Sequence, residues 1–206
     1  MTFRTTEATV PIPAIQGGYG PRLFTYTTQV TPKALEAILG HDPRSKYWKK
    51  LEPPELKSIY EQLQRNTTAE RLKGIQSYIR KRFKKEAVIL GAFPAISIAV
   101  KRFIRFEHFE TPDMVGAGRL HLDISRQNSR IVLDGLASVS GIIELTELAN
   151  AEELSAEERK SLSDLLDDFT IPIVIYAPRE KEHPLQLREF RQLFADFNFK
   201  QTSISP

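Results

Sequence analysis

The residues best placed to do chemistry in this chain of 206 residues lie in RIVLDGLASVSGIIEL, from Arg130 to Leu145. Ile131, Val132 and Leu133 form an apolar run too short for a helix, and Asp134-Gly135 stops it with a residue that tolerates positive φ. Ser138 or Ser140 is expected to cap the helix that follows, which carries Ile142, Ile143 and Leu145. In open α/β sheets ligands collect at such strand ends, where helix amides and a nearby carboxylate can hold a phosphate or a metal. An ordinary strand-turn-helix connection has the same pattern, so the turn alone does not decide between them.

The other chemical candidates are thinner. His41, His108, His121 and His183 lie far apart and show no short metal-ligand spacing. His121 and Asp123 share a strand face and are expected to point toward a cleft near Asp134, as a hydrogen-bonded structural pair rather than a metal set. Gly17-Gly18-Tyr19-Gly20 lacks the Gly-Lys-Ser/Thr of a phosphate loop and reads as a hairpin turn between two short strands. No G-x-S-x-G elbow is present, and the absence of cysteine removes disulfides, thiol catalysis and thiolate metal sites. No catalytic residue, metal or cofactor is expected.

Charge is distributed unevenly. Residues 1–106 hold 19 Lys and Arg against 8 Asp and Glu, a balance of +11; residues 107–206 hold 10 against 18, or −8, and the two give the net +3. Such asymmetry points to a polyanion partner unless the halves interleave and neutralise one another. The strongest concentration is Arg71, Lys73, Arg80, Lys81, Arg82, Lys84 and Lys85, seven cations with no acid between the first and the last. A solvated helix usually intersperses acids for i,i+4 pairing. Tyr47, Trp48, Lys49 and Lys50 add aromatic and basic groups that could stack on or contact a nucleic acid.

These groups need elements to position them. Thr31-Pro32 opens a helix through Leu39, closed by Gly40. A basic, Pro-bounded connection, His41–Pro54, precedes a helix over Glu55–Gln64 with Leu56, Ile59, Tyr60 and Leu63 on one face. Thr67 or Thr68 caps the basic helix, whose Leu72, Ile75, Ile79 and Phe83 form a buried stripe opposite the cations. Strands follow at Val88–Leu90, Ile96–Val100 and Gly118–Ile124. Glu147–Phe169 reads as an acidic helical stretch with a Ser155/Glu158 capping box, Pro172 and the IVIY run restore β structure, and Phe190–Phe199 is helical. With 41% hydrophobic and 27% charged residues, no apolar stretch of membrane-spanning length and no secretory signal, the chain reads as a soluble globular protein of the cytoplasm with no membrane partner.

The Asp134-Gly135 segment resembles the DGQHR-motif family, whose members include DndB of the DNA phosphorothioation systems. The family pattern is a strand, Asp-Gly-Gln-His-Arg and a helix; this chain keeps Asp134 and Gly135 but has Leu136, Ala137 and Ser138 in place of Gln, His and Arg. AERLKGIQSYIRKRF (Ala69–Phe83) and AFPAISIAV (Ala92–Val100) resemble the family's upstream helix and strand. IPIVIYA (Ile171–Ala177) resembles its late core strand, and FRQLFADFNFKQTSIS (Phe190–Ser205) its F-x-D-x-N-x-x-x-x-x-x-S segment. The resemblance implies an α/β (α+β) fold related to ParB and sulfiredoxin, a mixed sheet flanked by helices, as one domain over residues 1–206 with a further C-terminal helical part absent.

It also implies a place in a DNA-modification or phage-defence locus. The family's motif loop can form a nucleotide-phosphate site, to which Asp134, Gly135, Asp196 and Asn198 correspond, with Ser138 and Ser140 as added hydroxyl donors. The loss of His and Arg removes a charged phosphate clamp and a proton-transfer group. A DNA-binding transcription regulator contacting double-stranded DNA through the basic helix is therefore the expected function. The alternatives are a nucleotide-binding or NTP-hydrolysing accessory enzyme using the Asp134-Gly135 loop, and a scaffold that engages other proteins of the locus through its acidic helix. A homo-oligomer is compatible with the chain, and no helix-turn-helix names an element for base readout.

Overall fold

The apolar run that ends at Asp134 is the edge strand of a seven-stranded mixed sheet. The computed structural model describes residues 9–40, 43–44, 67–110, 116–123 and 130–198. In chain order the strands are β1 (Thr9–Tyr19), β2 (Leu23–Val30), β3 (Ile96–Val100), β4 (Arg105–His108), β5 (Ala117–Asp123), β6 (Arg130–Asp134) and β7 (Ile171–Pro178). The described helices are α1 (Pro32–Leu39), α2 (Ala69–Arg82), α3 (Leu136–Ala149), α4 (Ala156–Asp168) and α5 (Leu187–Asn198). The fold is of the α+β class. Sheet order is β4-β5-β1-β2-β7-β3-β6, and every neighbouring pair is antiparallel except β3 with β7.

This order forces the sheet to curl. The four residues Lys101–Ile104 join β3, sixth in the order, to β4, first in the order. Five strand spacings in a flat sheet would be about 24 Å, whereas so short a link reaches roughly 17 Å. Tyr26 of β2 accordingly meets Phe106 of β4 across the concave face, ring centroids 5.4 Å apart, and its hydroxyl donates to the Ile104 carbonyl at 3.5 Å. Burial raises the pKa of that phenol, which keeps it protonated as a donor.

Alternation reads out the half-covered strands. Leu120 and Leu122 of β5 face the core beside Ile12 and Ala14 of β1, while Arg119, His121 and Asp123 share the other face. In contrast, β3 and the first four residues of β6 are buried at every position. Such runs are covered on both faces. Helix α3 supplies much of the cover: eight of its residues are buried because α1, α2, α4 and the sheet surround it. Arg130, at the start of β6, is also buried, with its guanidinium against Gly40 at the end of α1. Desolvation lowers its pKa and the charge of Asp123 opposes that shift.

Several local expectations need correction. The hairpin lies at Gly20–Arg22, not around Gly17 and Gly18, which sit within β1 and leave room for Thr25 Oγ1 of β2 and for the guanidinium of Arg179, just past the end of β7. Val88–Leu90 is not a strand: these residues form an exposed tip between α2 and β3, and the strand starts only at Ile96. The acidic stretch is broken at residues 150–155, so only Ala156–Asp168 is one helix, opened by the expected Ser155/Glu158 capping box. Pro32 and Gly40 bound α1 as anticipated. The Glu55–Gln64 helix, His41, the Tyr47–Lys50 cluster and the end of the chain from Phe199 onward lie outside the described residues.

Candidate nucleic-acid interface

Helix α2 begins where Thr68 accepts a hydrogen bond from the Arg71 amide at 3.2 Å, so of the two proposed caps it is Thr68 that acts. Its apolar stripe docks as the spacing requires, with Ile79 fully buried and Leu72, Ile75 and Phe83 half-buried. Gln76 reaches Glu144 of α3 at 2.5 Å, and Phe83 packs on Phe169 with centroids 4.8 Å apart. The stripe fixes the helix and turns its cations outward.

Arg71, Lys73, Arg80, Lys81, Lys84 and Lys85 are exposed and Arg82 is half-buried. Lys84 and Lys85 lie beyond the helix, which ends at Arg82 with Phe83 as its cap. The cations do not form one uniform face. Lys85 meets Asp168 of α4 at 3.4 Å, and Arg80 lowers the pKa of Glu158, although that shift comes chiefly from the Ser155 hydroxyl. Lys84 shares open hollows with Glu157, Glu158 and Asp164. At 100° per residue, Arg71 and Arg82 fall on the opposite flank and Lys81 on the outer side; Arg82 accordingly lies over the Tyr78 ring at 6.0 Å. Thus the two charged halves of the chain do meet, at the C-terminal end of α2. The separation seen in sequence is preserved only over the rest of the helix.

The motif loop occupies another part of the fold. Asp134 is exposed at the end of β6 and its carboxylate accepts from the Gly135 amide at 2.8 Å. Gly135, with φ +87°, is itself the N-cap of α3, and Val139 N donates to its carbonyl at 2.9 Å. Ser138 and Ser140 are therefore not caps; they lie within the helix, Ser138 half-buried and Ser140 buried. The Asp-Gly turn reverses the chain in two residues, which starts α3 immediately at Leu136. Asn198 of α5 donates to the carbonyls of Leu133 and Phe194, both at 2.9 Å, and so ties α5 to the strand end where Asp134 stands. Asp196 accepts from Gln192 at 2.8 Å on the same helix. Fold closure thus brings together two segments 65 residues apart.

His121 lies elsewhere. Its Nε2 is 3.0 Å from the Glu107 carboxylate of β4, and this close approach is the main cause of the lowered Glu107 pKa. β5 and β6 stand five places apart in the sheet order, and Asp123 lies near Arg130, at the far end of β6 from Asp134. His121 and Asp123 do share a face, but their surroundings are β4 and the start of β6 rather than the motif loop. Among the described residues no group of three His, Asp or Glu side chains is arranged to hold a metal ion, and no helix is long and apolar enough to cross a membrane.

The chain matches the family model DndB, described as DNA-sulfur modification-associated, over residues 12–206. It belongs to the DndB family. No curated protein and no solved structure matches it. The DndB match spans the basic helix, the Asp134-Gly135 turn and Asn198 together. For this DndB-family chain, sequence reasoning missed the exposed Val88–Leu90 tip. The available signal was the Gly91 and Pro94 that follow it, since a three-residue apolar run bounded by such breakers is a poor strand.

Proposed function

We propose that this DndB-family chain is a non-catalytic DNA-binding regulator acting in DNA sulfur modification, with α2 and the turn after it as its contact to the duplex backbone. The observation that carries this reading is the mounting of α2: one apolar stripe holds it against the core while, of the seven cations of the helix and the turn after it, six are exposed and Arg82 is half-buried, with no acid among them in sequence. Backbone contacts of this kind give sequence-independent affinity that falls steeply with salt. The motif loop is read as structural. Asp134 caps its own turn and Asn198 clamps the strand end, which are the contacts of a fold junction rather than of a phosphate clamp.

The test is anisotropy of a fluorescent random duplex across a salt series. A log-log slope of about −4, reduced when the α2 cations are neutralised, supports the proposal. No binding at low salt would sink it. Thermal stabilisation by a nucleoside triphosphate that is lost in Asp134→Ala would favour the nucleotide-binding alternative instead.

A further inference from the structure

Between the basic helix and β3 the chain presents three consecutive aliphatic residues to solvent: Val88 is 97% exposed, Ile89 62% and Leu90 93%. Unbroken exposed apolar runs are disfavoured in soluble domains unless they serve a contact. The run is firmly mounted. The Tyr78 hydroxyl both donates to the Ala92 carbonyl and accepts from the Ala92 amide, each at 3.0 Å, and Tyr78 packs edge-on against Phe83. Gly91 passes so close to Arg82 and Phe83 that a Cβ there would stand 2.6 Å from Arg82 Cβ. The loop is therefore pinned to α2 at its base, and the three aliphatic side chains project beyond it.

Cations surround the base of the tip. One open hollow has Lys81, Arg82 and Lys84 on one wall and Val88 and Ile89 on the other, with Glu86 beside them. Three aliphatic side chains are far short of the roughly 800 Å² per partner that a stable protein interface buries. They are enough for a wedge, since proteins that kink DNA insert one or two Leu or Ile side chains between base steps while basic residues hold the flanking phosphates.

We infer that Val88, Ile89 and Leu90 form a wedge that enters a groove of duplex DNA and unstacks a base step, with Lys81, Arg82 and Lys84 on the adjoining phosphates. The inference rests on the DNA-binding reading above and adds the mode of contact. Basic groups fix position and affinity; the wedge makes binding sensitive to how easily a step deforms. Pyrimidine–purine steps, which unstack most readily, are then the preferred sites.

The 206-residue chain is titrated with random duplexes carrying 2-aminopurine, whose fluorescence rises on unstacking, in parallel with anisotropy. The wild type is expected to bind and raise the fluorescence. The triple variant Val88→Ser, Ile89→Ser, Leu90→Ser should melt like the wild type, keep the same salt slope, abolish the fluorescence rise and bind about tenfold more weakly, the loss expected when an aliphatic anchor is removed. Lys81→Gln with Lys84→Gln should instead flatten the slope and leave the rise at saturation. Wild-type binding without a fluorescence rise, or a triple variant that behaves as wild type, overturns the wedge and leaves the regulator reading standing. No duplex binding at low salt removes both. Loss in the triple variant of self-association by sedimentation, or of binding to phosphatidylserine vesicles, would assign the tip to protein or lipid and overturn the wedge.

Discussion

Neutralising the cations of α2 one pair at a time should separate those that face DNA from those already engaged by the protein. Arg80 and Lys85 are turned toward Glu158 and Asp168 of α4, and Lys73, Lys81, Arg82 and Lys84 are the cations proposed to meet a backbone. At about 0.9 of slope per phosphate, four contacts give a log-log slope near −3.6, so affinity should fall roughly 150-fold between 50 and 200 mM salt. Lys73→Gln with Lys81→Gln removes two contacts. The slope should drop to about −1.8 and the same salt change should weaken binding only some 12-fold. Lys85→Gln frees Asp168 to repel DNA and should lower affinity, but its slope should stay near −3.6, because Lys85 releases few counterions. The assay is anisotropy of one duplex at five or six salt concentrations, with melting curves to confirm folding. An unchanged slope in the Lys73/Lys81 variant, or an equal drop in Lys85→Gln, would refute this division of the helix.

Two further outcomes test the scaffold. Gly135→Ala places a Cβ in a left-handed conformation, φ +87°, 3.2 Å from Ile96 Cγ1; it should destabilise by about 1–2 kcal/mol and lower the melting temperature by about 2–8 °C, with Gly135→Asn losing less. Ser155→Ala breaks the capping box and should cost about 1 kcal/mol by denaturant titration while leaving the DNA salt slope unchanged. It should also alter acid sensitivity: bonds from the Ser155 hydroxyl and backbone hold the Glu158 pKa below its ordinary 4.5. A depressed carboxyl stabilises the fold above that ordinary value and ceases to as pH falls below it. The wild type should therefore lose more stability than Ser155→Ala between neutral pH and the acid limb, and parallel pH profiles would contradict the role given to Glu158.

What the sequence alone determined are the features whose causes span a few residues. Thr31-Pro32 and Gly40 bound α1, Thr68 and Ser155 begin α2 and α4, and the Asp134-Gly135 turn ends β6, because caps and turns satisfy backbone groups within three or four positions. The stripe of α2 was likewise legible from its spacing. The tertiary structure decided where those pieces went. Only the strand order of the sheet places His121 of β5 beside Glu107 of β4 and away from Asp134 at the end of β6. Only the packing of α4 beside the end of α2 makes acids from one half of the sequence neutralise cations from the other, and only α5 brings Asn198 to the motif strand. Val88–Leu90 shows the same limit: an apolar run looks alike in a core strand and on an exposed tip, and which it becomes depends on whether a neighbouring element arrives to cover it.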